Sequence, residues 1–209
     1  MAGPDGHTVK TNRQAQKLAL KVSTRDHFRG SPLAKTTLVA YGDFASPTCV
    51  QTYRTVKKIQ KKMGTRLRYV YRSFPQPGQF RRSQEAAEAA ECASSQGKFW
   101  EMHDSLFESC KPPANEIRLD QNAAEAGLDL FRFRRDMSGQ VNSEKVRRIR
   151  EGGVRSGVAV APVFFINSVR HESSFGLATL LAAVQAVSGG EAHPVENEVS
   201  ANRKSRTKR

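Results

Sequence analysis

The chain has 209 residues, of which 34 are lysine or arginine and 20 are aspartate or glutamate, so its formal net charge is +14. This length is sufficient for one well-buried domain with tails. No apolar run is long enough to span a membrane, and the charges scattered through residues 1–25 exclude an ordinary secretory signal. We therefore expect a cytoplasmic chain with no membrane span.

The first predicted elements are a strand, a helix and a second strand. Residues 37–41 form a short β-branched and apolar run that predicts a buried strand. From Pro47, which suits a first helical turn, apolar residues recur at helical spacing until Gly64. Residues 65–74 ("TRLRYVYRSF") alternate as a second strand. This order predicts a βαβ unit with parallel strands and a right-handed crossover.

A block of helices follows, from about residue 83 to about residue 156. Its sequence is rich in Ala, Glu, Arg and Leu, and it shows helical periodicity in five segments. The fifth segment runs from Asn142 to about Arg155, and its adjacent glycines, Gly152 and Gly153, are candidate break points. The block contains no convincing strand, so we expect it to be all helical.

The last predicted elements are a β-hairpin and a closing helix. Residues 161–171 ("APVFFINSVRH") give an apolar strand, an Asn-Ser turn and a second strand. Residues 174–190 ("SFGLATLLAAVQAVSGG") form an amphipathic helix that ends at two glycines. A βαβ half joined to a ββα half predicts an α/β, thioredoxin-like sheet, here with the helical insertion at about 83–156 between the halves.

Composition divides the chain into three parts. Residues 1–25 are predicted to be a basic N-terminal arm, residues 26–188 the folded domain, and residues 189–209 a basic C-terminal tail. The terminal run "RKSRTKR" favours a solvated, disordered tail over a functional contact, because runs of like charge rarely fold. An anionic partner that binds this tail is the alternative.

Five stretches of sequence, taken in order, resemble the DsbA-like family of thioredoxin-fold proteins over roughly residues 26–187. These stretches are "DHFRGSPLAKTTLVAYGDF", "SPTC", "RYVYRSFP", "AAEAAECASSQGKFWEMHDSLF" and "SGVAVAPVFFIN". The resemblance implies the DsbA-like fold and a thiol–disulfide oxidoreductase. In that family a Cys-x-x-Cys pair lies at the N-terminus of the first helix, opposite a cis-proline.

The resemblance places the exposed first position of that pair on Ser46 and the less exposed second position on Cys49. Disulfide exchange needs a thiolate, which a helix N-terminus stabilises through its dipole and free N–H groups. Serine cannot form a disulfide, so the ordinary two-cysteine cycle is unavailable. Burial of Cys49 raises its pKa and slows its attack. We therefore predict reduced or lost dithiol activity, with Ser46 and Cys49 as the catalytic positions.

Other candidate site residues surround this pair. Pro47 and Thr48 lie between its two positions and are candidate substrate-binding residues. The resemblance implies a cis bond between Ala161 and Pro162, and in the family the backbone before this proline pairs with an extended substrate or with glutathione. Asp43 is a candidate proton acceptor, with a satisfied turn residue as the alternative.

Two more cysteines lie outside the motif. Cys92 is interpreted as a small core residue, and Cys110, at a helix end beside Lys111, as a surface thiol. Neither is placed by the sequence to substitute for Ser46. A bridge between Cys49 and Cys110 is left open, because geometry decides whether two cysteines can pair. The cysteines and histidines show no ligand spacing typical of zinc, so we expect no metal.

Three functions are compatible with these features. The first is an oxidoreductase relative that exchanges protein or small-molecule thiols and disulfides, with reduced activity and no required cofactor. The second is a glutathione transferase or isomerase similar to the kappa type, in which Ser46 donates a hydrogen bond to the glutathione thiolate. The third is a redox-silent module that binds peptides. The oligomeric state is left open.

Overall fold

The structure, a computed structural model, describes residues 16–80, 82–110 and 117–189. A five-stranded mixed sheet in the order β1-β3-β2-β4-β5 forms its centre. Strand β2 is parallel to β3 and antiparallel to β4, while the outer strands β1 and β5 are antiparallel to their neighbours. The strands are β1 (His27–Gly30), β2 (Thr36–Gly42), β3 (Leu67–Ser73), β4 (Val163–Ile166) and β5 (Val169–Arg170).

Helices cover this sheet, and five of them form one insertion. Helix α1 connects β2 to β3, helices α2 to α6 lie between β3 and β4 in the chain, and α7 packs against α1. None of the described helices is both long enough and apolar enough to cross a bilayer. The helices are α1 (Pro47–Met63), α2 (Ser83–Ser94), α3 (Phe99–Ser109), α4 (Leu119–Glu125), α5 (Leu130–Ser138), α6 (Ser143–Arg155) and α7 (Leu177–Ala186).

The predicted fold class is confirmed. The βαβ unit, the helical insertion and the final hairpin and helix occur in the predicted order, which is the α/β thioredoxin-like arrangement. All seven residues of β2 are buried, because this strand is central in the sheet. Residues Leu38, Tyr69 and Ile166 are adjacent across β2, β3 and β4 and belong to the core.

Two elements differ from the prediction. Strand β1 is not predicted, since it has only four residues and they alternate between half-buried and exposed at the edge of the sheet. Helix α6 continues through Gly152 and Gly153 without a break and ends at Arg155. The two glycines therefore serve close packing instead of ending the helix.

Part of the predicted N-terminal arm packs on the domain. The Leu18 N–H donates a hydrogen bond to the Ser168 carbonyl at 2.9 Å, and Arg72 Nη1 donates to the Leu20 carbonyl at 2.9 Å. Residues 1–15 of the predicted arm and residues 190–209 of the predicted tail lie outside the described residues. The ordered domain thus includes chain that precedes residue 26.

Gly153 allows close contact between α6 and the end of β3. A Cβ atom at this position would lie 2.7 Å from the Phe74 ring, closer than real Cβ atoms approach other groups. Both residues are buried. Helix propensity alone would favour alanine over glycine by about 1 kcal/mol, but overpacking a buried contact costs about 1–3 kcal/mol.

We predict that Gly153→Ala lowers the free energy of unfolding by up to about 2 kcal/mol, since the clash costs about 1–3 kcal/mol and the gain in helix propensity returns about 1 kcal/mol. Urea denaturation followed by circular dichroism measures this difference. Gly78→Ala is the matched control, because a Cβ at Gly78 meets no atom within 4 Å and its effect should stay within about 0.5 kcal/mol. Equal stability of the two variants would contradict the packing role of Gly153.

Candidate active site

Ser46 begins helix α1 as its N-cap residue. Its backbone is extended, with φ −82° and ψ 123°, and its Oγ accepts a hydrogen bond from the Cys49 N–H at 3.4 Å. A serine in this position satisfies one of the free N–H groups at a helix start. Pro47 occupies the first helical position, as predicted. The Ser46 hydroxyl therefore stabilises the helix start.

The expectation that Ser46 is exposed is wrong. Its exposed fraction is only 2%, because the N-cap geometry directs the hydroxyl oxygen back toward the Cys49 N–H. Pro47 and Thr48, the predicted substrate-binding residues of this turn, are the exposed residues of the motif. A partner that approaches the helix start therefore meets Pro47 and Thr48 before it meets the Ser46 hydroxyl.

Cys49 is a buried and weakly acidic thiol. Its exposed fraction is 2%, and its Sγ accepts a hydrogen bond from the Asp43 N–H at 3.4 Å. Burial raises the pKa of Cys49 to about 11, although the hydrogen bonds with Asp43 and Ser46 act in the opposite direction. With this pKa, about one thiol in 10⁴ is ionised at pH 7. This agrees with the expectation that burial weakens Cys49 as a nucleophile.

The Asp43 carboxylate holds three parts of the fold together. Its Oδ1 accepts the Ala45 N–H at 2.9 Å, and its Oδ2 accepts the Gln76 N–H at 2.9 Å and the Ser83 hydroxyl at 2.5 Å. Burial raises the pKa of Asp43, while these hydrogen bonds oppose the rise. The geometry favours the interpretation of Asp43 as a satisfied turn residue over that of a proton acceptor.

The peptide bond between Ala161 and Pro162 is cis, and both residues are buried. Pro162 and Cys49 line the same small cavity, of about 20 Å³, so the structure brings these two predicted site residues together. The Ala161 N–H donates a hydrogen bond to Gln76 Oε1 at 2.9 Å. A peptide that pairs with this N–H group has to displace the Gln76 side chain.

Gln76 is a site residue that sequence reasoning missed. Its backbone N–H binds Asp43, and its side chain binds Ala161, so it joins the loop before α1 to the loop before β4. A signal for it existed in the sequence. Asp43 and Gln76 follow the carboxyl ends of β2 and β3, which are parallel neighbours, so polar residues after both strands meet at one edge of the sheet.

The remaining cysteines have different surroundings. Cys92 is buried in α2, where its Sγ accepts a hydrogen bond from Asn142 at 3.3 Å, and this confirms its interpretation as a core residue. Cys110 is half-buried, and its Sγ donates to the Phe44 carbonyl at 3.5 Å. It lies beside the active-site loop, so the description of a surface thiol is only partly correct. These two residues and Cys49 are free thiols.

A metal ion and glutathione are the two ligands to consider at this site. No group of three or more His, Cys, Asp or Glu side chains within the described ranges is arranged to hold a metal ion. For glutathione, the predicted partners are the Ser46 hydroxyl and the Ala161 amide. Ser46 accepts a hydrogen bond from Cys49, and Ala161 donates one to Gln76. The Ala161 N–H is therefore already used within the chain, whereas the Ser46 contact uses the hydroxyl oxygen as an acceptor and does not occupy its O–H donor.

Comparison with known proteins assigns the chain to a family. A family model described as thioredoxin matches residues 22–186. The chain belongs to this thioredoxin family. Its structural neighbours are DsbA-like: alpha-DsbA1 of Wolbachia pipientis has a TM-score of 0.67 at 20% identity, over 81% of this chain and 94% of that one. A thioredoxin-like oxidoreductase from Silicibacter pomeroyi has a TM-score of 0.67 at 26% identity, over 78% of this chain and 92% of that one.

A curated relative of this thioredoxin-family chain has the name of an ion transporter. The Na(+)/H(+) antiporter NhaA 1 of Salinispora arenicola is 38% identical over 169 residues, which are 79% of this chain and 25% of that protein. The chain thus spans about a quarter of the length of this relative. The similarity concerns a domain-sized part, whereas the antiporter name describes the whole protein.

We predict that Cys49 reacts slowly with iodoacetamide at pH 7 and that its rate rises about tenfold per pH unit up to pH 10, because its pKa is about 11. Timed quenching and peptide mass spectrometry measure the rate. The control is the same chain in urea, where an unstructured cysteine has a pKa of about 8.5 and reacts faster at neutral pH. A rate in the folded chain that levels off near pH 9 would contradict the prediction.

Proposed function

We propose that this chain is a DsbA-like thiol–disulfide oxidoreductase in which Ser46 replaces the first cysteine at the start of α1. The two-cysteine cycle is therefore lost, and the remaining exchange activity is reduced and depends on Cys49. Membership of the thioredoxin family and the DsbA-like structural neighbours support the class of chemistry. The observation that carries the reduced activity is the environment of Cys49, which is 2% exposed and has a pKa of about 11. Its partners are protein or small-molecule thiols and disulfides.

The chemistry of the pair explains the loss. In a Cys-x-x-Cys cycle, the first thiolate attacks a disulfide and the second thiolate, one helical turn away, resolves the mixed disulfide. The Ser46 oxygen cannot form a bond of this kind, and it accepts the Cys49 N–H instead. Of the two residues of the helix start, only Cys49 can form a mixed disulfide, and Ser46 supplies no thiol to resolve it.

The two alternative functions receive less support from the geometry. A kappa-type glutathione transferase would need the Ser46 hydroxyl to face the ligand, but Ser46 is buried. A peptide-binding module would use the Ala161 amide, which donates to Gln76. Both alternatives stay predictions that ligand titration can test.

We predict that Ser46→Cys increases the rate of insulin reduction by at least about tenfold. A cysteine at the N-cap lies at the positive end of the helix dipole and would accept the Cys49 N–H that now donates to the Ser46 oxygen. Both effects lower its pKa from about 8.5 and increase the thiolate fraction, against the opposing effect of burial at this position. The turbidity of insulin in the presence of dithiothreitol measures the rate.

Thr48→Cys is the matched control for this gain. It adds a thiol to the same helical turn at an exposed position, but away from the N-cap. We expect a much smaller increase from Thr48→Cys than from Ser46→Cys. If Ser46→Cys gives no gain, groups other than the first thiol have also been lost, and the proposed function fails.

A further inference from the structure

Cys110 lies next to the active-site loop although it is distant from that loop in sequence. Its Sγ donates to the carbonyl oxygen of Phe44 at 3.5 Å, two residues before Ser46. Cys110 is half-buried, whereas Cys49 is 2% exposed. A thiol that is more accessible than Cys49 thus lies beside the loop in which Ser46 replaces the first cysteine.

Helices α1 and α3 pack antiparallel, as two contacts show. The Lys57 Nζ donates to Asp104 Oδ2 at 3.0 Å. The rings of Tyr53 and Phe107 are stacked, with their centroids 4.9 Å apart. Tyr53 lies four residues before Lys57 in α1, and Phe107 lies three residues after Asp104 in α3. The second contact is therefore about one turn from the first in each helix, in opposite chain directions.

One more turn in the same directions leads to the two cysteines. Four residues before Tyr53 is Cys49, and three residues after Phe107 is Cys110. Both cysteines therefore lie at the same level along the contact between α1 and α3, at the end nearest the active-site loop. Their separation of 61 positions in sequence hides this proximity.

Both sulfur atoms bind backbone groups of consecutive loop residues. Cys49 Sγ accepts the Asp43 N–H at 3.4 Å, and Cys110 Sγ donates to the Phe44 carbonyl at 3.5 Å. Consecutive Cα atoms lie about 3.8 Å apart. Burial is the main cause of the raised pKa of both thiols, and the negative charge of Asp43 raises both further. The two thiol groups therefore contact the same short backbone segment, Asp43 and Phe44.

Cys92 provides an internal comparison. Its Sγ accepts from Asn142 at 3.3 Å, so it lies between α2 and the start of α6. No described hydrogen bond connects Cys92 to residues 43–46. Of the two cysteines outside the motif, Cys110 is therefore the one that the fold places with Cys49.

We propose that Cys49 and Cys110 form a reversible redox pair that replaces the Cys-x-x-Cys pair of the helix start. This inference rests on the proposed function, because it supplies the second thiol for exchange at Cys49. The structure shows the reduced form, in which both thiols are free. A disulfide requires Cα atoms about 4.4–6.8 Å apart. A link that forms in the folded chain would show that Cys49 and Cys110 reach this separation.

The reaction proceeds by two exchange steps. Deprotonated Cys110, the more accessible thiol, attacks a substrate disulfide R–S–S–R′, forms the mixed disulfide Cys110–S–S–R and releases R′–S⁻. Deprotonated Cys49 then attacks the Cys110 sulfur and releases R–S⁻, and the two leaving thiolates take up the protons that the cysteines lost. The protein pair loses two electrons, and the substrate disulfide is reduced to two thiols.

The test is equilibration of the full chain with glutathione disulfide, which serves as the probe and oxidant. After an acid quench and alkylation of the remaining thiols, non-reducing peptide mapping identifies the linked cysteines. We expect a linked Cys49–Cys110 peptide, a free Cys92, and loss of the link on addition of excess reduced glutathione. Accumulation of separate glutathione adducts without this link, or linkage of Cys92 at a similar level, would overturn the proposal.

Two variants make the result specific. Cys110→Ala should abolish the link and leave Cys49 as a thiol or a glutathione adduct, whereas Cys92→Ala should preserve the link. Circular dichroism establishes that each variant is folded. A link that forms only in urea would also overturn the proposal, because it would not report on the folded arrangement.

The outcome is independent of the test of the proposed function. If the link does not form but Ser46→Cys raises insulin reduction, the redox pair is refuted and the proposed function stands. If the link forms but Ser46→Cys gives no gain, the proposed function fails, while the reversible link between Cys49 and Cys110 is still observed.

Discussion

The buried carboxylate of Asp43 is the constraint on which the rest of the site depends. It accepts hydrogen bonds from Ala45, Gln76 and Ser83, which belong to the loop before α1, the segment after β3 and the start of α2. A buried carboxylate is costly unless hydrogen bonds compensate for lost hydration. The three bonds supply this compensation, and they also fix the loop from which the Asp43 N–H donates to Cys49.

The same burial that organises the site weakens its thiols. Removing water from Cys49 disfavours its thiolate, and the Asp43 charge adds to this effect. The N–H of Cys49, which could stabilise an anion at the helix start, instead donates to the Ser46 oxygen. The site thus keeps the framework of a thiolate-stabilising helix start while its own groups satisfy one another.

The sequence predicted those features that depend on local spacing. The βαβ unit, Pro47 at the first helical position and the run of insertion helices follow from residues a few positions apart. The burial of Ser46 was not predictable in this way, because exposure depends on distant neighbours. Gln76 and Ala161 are 85 positions apart, and their hydrogen bond depends on how the two halves of the sheet meet. Helix α6 continues through Gly153, where glycine allows the close approach of Phe74, and this tertiary contact could not be predicted because glycine by itself is typical of a helix end.

The acidity of the thiols has a consequence for the direction of exchange. DsbA is a strong oxidant because its reduced form is stabilised, and a thiolate of low pKa provides that stabilisation. In this chain, burial and the Asp43 charge raise the pKa of both Cys49 and Cys110 to about 11. At neutral pH, thiols with this pKa are almost fully protonated, so the reduced form lacks the stabilisation that a thiolate of low pKa gives to DsbA. The proposed Cys49–Cys110 pair would therefore be a weaker oxidant than DsbA, and its exchange would be shifted, relative to DsbA, toward reduction of a substrate disulfide.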